Sequence, residues 1–186
     1  LDSSHISPGN QAWQSFIKQT LREYEVILDL QGQTLIAHPY KLLLYEAGSF
    51  FLKHQDSEKE NGMVATLVIA LPSAHQGGEL TITHRDQSVC VDFSEAAKRY
   101  DFQSALFYTD CQHEIAPLKT GYRLVLTYNI CLDGSRVLSS SDFGGQEQSL
   151  ATLFTHWKNG LSPEDTKYRL ISLDHQYSAD GFSLDT

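Results

Sequence analysis

Apolar and polar positions recur along this chain with two different periods, and the change between them divides it. In residues 11–30, "QAWQSFIKQTLREYEVILDL", Trp13, Phe16, Ile17 and Leu21 recur at three- and four-residue intervals. That spacing lines one side of a helix and predicts an amphipathic helix laid on a sheet. From about residue 33 the period shortens towards two. Short β-rich runs follow in "QTLIAH", "YKLLLYEAGSFF", "ATLVIALP", "GELTITH", "SVCVDF", "SALFYTDCQHEIAPL" and "YRLVLTYNICL". Seven such runs, parted by Gly, Pro, Asp and Ser, predict an antiparallel sandwich or barrel and argue against a doubly wound fold. Beyond them "DGSRVLSSSDFGGQEQS" reads as a connector, "LATLFTHWKNGL" as a short helix and "YRLISLDHQY" as a last strand. The expected class is mainly β with flanking helices, an α+β arrangement.

The phase of the central runs sorts their side chains by face. In "SALFYTDCQHE" one face carries Ala105, Phe107, Thr109, Cys111 and His113, and the other Leu106, Tyr108, Asp110, Gln112 and Glu114. His113 therefore shares a face with small or apolar residues, while Asp110 and Glu114 point the other way. In "YRLVLTYN" the residues Arg123, Val125 and Thr127 share a face. A guanidinium among apolar neighbours on a strand needs an anion.

At 186 residues the chain fits a single domain over 1–186, with its β core at about 33–132. A hydrophobic share of 41% without any apolar run of 18 residues predicts a soluble protein with no membrane span. The net charge of −9 has the wrong sign for a protein that neutralises many phosphates, which disfavours nucleic acid as a partner. Cys90, Cys111 and Cys131 are odd in number and form no CxxC. That speaks against a disulfide framework or a structural zinc site and suits a reducing, intracellular compartment, cytoplasm or nucleus. The chain opens without Met and closes directly after a strand-like segment, so the expectation is a piece of a longer protein.

The candidate chemistry starts at "FFLKHQDSEKENGM", where an apolar run ends in His54 and Asp56, two residues apart. His113 lies 59 residues beyond His54, room for about four strands to bring it back beside the pair. Two imidazoles and a carboxylate on one side of a metal leave the opposite positions open, the arrangement suited to non-haem Fe(II). Arg123, ten residues past His113 and across the "PLKTG" turn, could hold the far carboxylate of a dicarboxylate chelating that metal. Singly, each residue has an ordinary explanation: a strand cap, a core histidine, a structural ion pair. It is their order, with "GGEL" between them, that points to a metal centre.

Over roughly residues 40–132, from "KLLLYEAGSFFLKHQD" through "GMVATLVIALPS" and "GGEL" to "ALFYTDCQHEIAPLKTGYRLVLTYN", the chain resembles the 2-oxoglutarate- and Fe(II)-dependent oxygenases, in particular their prolyl 4-hydroxylase-like branch. The resemblance implies a double-stranded β-helix (jelly-roll) core, His54, Asp56 and His113 as iron ligands, and Arg123 on the C5 carboxylate of 2-oxoglutarate. It adds Tyr45 as a hydrogen-bonding partner of the cosubstrate, and ascorbate as an accessory. It implies hydroxylation of prolyl residues in a protein or peptide, with release of succinate and CO2. Two departures bear on the substrate: Ala70 stands where oxygen-sensing relatives have a tyrosine, and the "SEKENG" loop after Asp56 is short. Hydroxylation of a free amino acid or other small molecule is the alternative enzyme reading, and an inactive jelly-roll peptide-binding module the alternative outside catalysis. A second HxD, His84 and Asp86 in "THRDQSV", lacks any accompanying phosphate loop and reads as a solvent-side hairpin.

Overall fold

A computed structural model describes residues 1–5, 7–28, 30, 34–94, 100–133 and 146–160. After a short 3-10 turn, Ser3–His5, the elements are helix α1 (Ala12–Ile27) and nine strands. The strands are β1 (Leu35–Glu46), β2 (Phe51–Gln55), β3 (Met63–Ala70), β4 (His75–Gly77), β5 (Leu80–His84), β6 (Gln87–Val91), β7 (Gln103–Tyr108), β8 (Gln112–Ile115) and β9 (Leu118–Leu132). Helix α2 (Gln146–Asn159) belongs to a second compact unit, separate from the one that runs to Asp133. The last predicted strand lies outside the described residues, as does most of the predicted connector. Among the described residues no helix is long and apolar enough to cross a membrane.

The strands form two antiparallel sheets. The larger runs β1-β9-β3-β7, with β4 added against β9, and the smaller runs β2-β8-β5-β6. Between them lies an apolar layer in which Tyr45, Val68, Ala105, Phe107 and Val125 of the larger sheet meet Leu80, Ile82, Val91 and Ile115 of the smaller. This is the jelly-roll core. On the outer face of the larger sheet, Ile17 and Leu21 of α1 pack on Ala65, Leu67, Ile69, Leu126 and Ile130. The Trp13 indole N–H donates to the Tyr128 hydroxyl at 2.8 Å and pins the helix in place. Being covered on both sides explains why β3 reads "MVATLVIA": a strand with two dry faces is apolar at nearly every position.

Three of the sequence runs divide differently in the fold. "QTLIAH" and "YKLLLYE" join as β1 across Pro39, where the pairing with β9 slips by one residue between Pro39 and Lys41. A proline has no N–H to give the ladder, and a bulge is where a strand tolerates one. "YKLLLYEAGSFF" instead breaks at Gly48, whose φ of +88° lets the chain turn from the larger sheet into the smaller. "SALFYTDCQHEIAPL" also changes sheet, from β7 to β8, through a turn closed by the Cys111 N–H on the Tyr108 carbonyl at 3.0 Å. The predicted facing nevertheless holds across that turn: Ala105, Phe107, Thr109, Cys111 and His113 are all buried. β4, only three residues long, is too short to show a period. His84 and Asp86 sit in the β5–β6 hairpin, where His84 pairs with Gln87 around a two-residue loop.

Candidate active site

Two cross-strand pairs place the principal side chains. On the smaller sheet His54 of β2 lies directly opposite His113 of β8, with ring centroids 4.2 Å apart. On the larger sheet Tyr45 of β1 lies opposite Arg123 of β9. Residues directly opposite on antiparallel strands share a face and stand about 5 Å apart, so each pairing delivers two groups to one spot. Asp56 follows immediately after β2, and its carboxylate comes within 3.8 Å of the His113 Nε2. Ligating atoms of His54, Asp56 and His113 all lie within 4.8 Å of one another. These three residues, with Tyr45 and Arg123, line one cavity of about 330 Å³ between the sheets.

The protein sets the state of each group. The His54 Nδ1–H donates to the Leu52 carbonyl at 2.8 Å, which fixes the tautomer and leaves the Nε2 lone pair for a ligand. Burial pushes the His113 imidazole below its ordinary value; Asp56 pulls the other way and His54 adds to the lowering. The balance favours the neutral ring, the form that binds metals. Thr66, on the inward face of β3, donates its hydroxyl to Asp56 at 2.8 Å. Phe51 and Phe107 stand against the two imidazoles, with centroid separations of 4.5 and 4.7 Å.

Arg123 is the most unusual side chain in the cavity. It is 1% exposed, and none of its three guanidinium nitrogens finds a hydrogen-bond partner among the described residues. Its cation lies over the rings of Tyr45 and Phe93, at 5.1 and 5.3 Å from their centroids. Burial lowers its pKa and the Tyr45 phenol partly offsets this; burial likewise raises that of Tyr45. The close approach depends on Gly78 of the "GGEL" segment, which has φ +74°. A Cβ there would come 2.7 Å from Leu118 Cδ1 and 3.3 Å from Arg123 Cδ.

The structure therefore brings together all five residues singled out in the sequence. The sequence reading missed Thr66; a hydroxyl on an inward position of "MVATLVIA" was the available signal. Among the described residues no carboxylate pairs with this buried cation, yet the cavity gathers three side chains of metal-ligating type beside it. That combination suits a divalent metal chelated by an anionic small molecule.

Fold and site together define a class, jelly-roll proteins that present two imidazoles and a carboxylate to the space between their sheets. Residues 40–131 match the model of the 2OG-Fe(II) oxygenase superfamily. Similar solved structures include an oxidoreductase of the 2OG-Fe(II) oxygenase family from Burkholderia pseudomallei, at 16% identity over 59% of this chain and 49% of that one, TM-score 0.49. A prolyl-4-hydroxylase from Pseudomonas putida shares 19% identity over 72% of this chain and 73% of that one, TM-score 0.47. A prolyl 4-hydroxylase from Phytophthora capsici shares 22% over 77% and 52%, TM-score 0.42. The chain thus spans about half the length of the first and the third. No curated protein matches it.

Proposed function

We propose that this chain is an Fe(II)- and 2-oxoglutarate-dependent oxygenase that hydroxylates prolyl residues of a protein or peptide. The observation that carries the oxygenase reading is the buried, unpartnered Arg123 guanidinium in the same cavity as His54, Asp56 and His113. A buried charge left alone costs several kcal/mol, about 3–5 in measured cases, so a ligand carboxylate is its natural complement. Two carboxylates and a keto group on one small molecule would satisfy both ends of the cavity.

In this reading His54, Asp56 and His113 hold Fe(II). Arg123 takes the distal carboxylate of 2-oxoglutarate by paired charge-assisted hydrogen bonds, and the Tyr45 hydroxyl supports the same group. Bound iron and cosubstrate supply dioxygen activation and oxidation of an unactivated C–H bond, with succinate and CO2 as co-products. The chain's own contribution is orientation and dryness. His54 is held by Leu52, Asp56 by Thr66, and Phe107, Val125 and Leu80 keep water from the inner wall. A protein or peptide substrate is favoured by the rim of the site. Phe50, Phe51 and Leu52 are exposed on or beside β2, and Phe51 also lines the cavity. An extended chain could lie along them. The cysteines are free, Cys90 exposed and Cys111 and Cys131 buried, which supports an intracellular setting.

The test is an anaerobic titration of Fe(II)-loaded protein with 2-oxoglutarate, following the visible metal-to-ligand charge-transfer band. Wild type should develop the band, His54→Ala should lack it, and Arg123→Ala should need at least tenfold more cosubstrate. Iron binding without any band would overturn the oxygenase reading and leave a jelly-roll binding module. Substrate is then decided by turnover with Fe(II), 2-oxoglutarate and ascorbate. Hydroxylated proline in a peptide library supports the proposal, whereas turnover of free proline alone assigns a small-molecule hydroxylase.

A further inference from the structure

A second group of metal-binding side chains lies away from the first. His38 of β1, Glu60 of the loop between β2 and β3, and Cys131 of β9 bring one ligand atom each within 4.8 Å of one another. The His38 Nδ1 is the meeting point, 2.6 Å from Glu60 Oε2 and 3.8 Å from the Cys131 Sγ. Asn129 donates to the other Glu60 oxygen at 2.7 Å and so orients the carboxylate from behind. Such outer support is the usual accompaniment of a metal-ligating side chain.

We infer that His38, Glu60 and Cys131 form a binding site for a borderline-soft divalent cation of the Zn(II) type, which ties the loop after Asp56 to the β1–β9 strand pair. Thiolate, imidazole and carboxylate together match that class of ion, and three protein ligands leave a fourth position open. The spacing is nearly right. A tetrahedral ion with Zn–N of about 2.0–2.1 Å and Zn–S of about 2.3 Å holds the two atoms about 3.6 Å apart. The observed 3.8 Å between Nδ1 and Sγ is close to this. The imidazole–carboxylate contact must open from 2.6 Å to about 3.3 Å. Both side chains are partly exposed, at 48% and 33%, so the rotation is available.

The Glu60 carboxylate beside the imidazole and the thiol supplies negative charge for a dication. The site also touches the other one indirectly. Asn129 lines the active-site cavity, and Glu60 follows Asp56 by four residues. Fixing Glu60 would limit how far this loop can move beside the cavity.

Cobalt separates the two centres, because only the second contains sulfur. The full-length, reduced, metal-free protein is titrated with Co(II) under nitrogen, and the near-ultraviolet thiolate-to-cobalt charge-transfer band is recorded. The band should appear in wild type, in His54→Ala and in Cys111→Ser. It should be lost in Cys131→Ser, need at least tenfold more Co(II) in His38→Ala and Glu60→Gln, and be displaced by Zn(II). Circular dichroism establishes that each variant is folded. Should Cys131→Ser not fold, the variants at the partly exposed His38 and Glu60 decide. No thiolate band in folded wild type, or a band unchanged in the Cys131 or His38 variants, overturns the assignment. The band in His54→Ala makes the outcome independent of the oxygenase reading.

Discussion

The Arg123 charge is held under Gly78 and between two aromatic rings, with no acceptor among the described residues for any of its nitrogens. Under the proposed function such a group would serve cosubstrate binding at the expense of stability. Arg123→Met is therefore expected to raise the stability of the ligand-free protein, by about 1–4 kcal/mol, while abolishing the cosubstrate-dependent band. Denaturant unfolding and the Fe(II) titration measure the two effects on one preparation. Thr66 acts through Asp56. Thr66→Val keeps the shape but removes the hydroxyl, and is expected to weaken metal binding by about 10–100-fold with the fold unchanged, as read by competition with a chelator. The proposed metal ligands His54, Asp56 and His113 could be singled out in the sequence because they are chemically conspicuous and their phase could be counted, and the fold brings them together. Thr66 could not, since a threonine in a strand is commonplace until its partner is seen.

At the scale of elements, register does the positioning. His54 opposite His113 and Tyr45 opposite Arg123 are pairings that period-two counting could suggest for a face but not for a partner. Counting also could not show where a run changes sheet, because the side-chain alternation continues through the Thr109–Cys111 turn. Pro39 misled in the opposite sense: it looked like a boundary and proved to be a bulge inside one strand. Gly78 is the element-level weak point. With φ at +74° and Leu118 Cδ1 2.7 Å from where a Cβ would sit, Gly78→Ala is expected to cost about 1–3 kcal/mol. It should also displace Arg123 and raise the 2-oxoglutarate requirement, so unfolding and cosubstrate titration should shift together.

Across the whole molecule, proton binding ties the site to stability. Burial keeps His113 below its ordinary 6.5 in the folded protein, whereas the unfolded chain takes up that proton as pH falls through 6.5. The unfolded state then binds more protons, so stability declines as pH falls below about 6.5. The thermal midpoint of chelator-treated protein should accordingly drop between about pH 7 and pH 5, and less steeply in His113→Gln. The bulge at residues 39–41 carries a different kind of consequence. Before it, Leu35 and Ala37 pack under the helix; after it, Leu43 and Tyr45, of the same odd parity, point into the jelly-roll core. One extra residue thus reverses the sense of the strand, so that His38 and Tyr45 share the face turned away from the helix on a single β1. Without the bulge the same sequence would turn the two to opposite faces, seven residues apart; deleting Tyr40 would remove the bulge and the seventh residue together, and a regular ladder would keep both on that face.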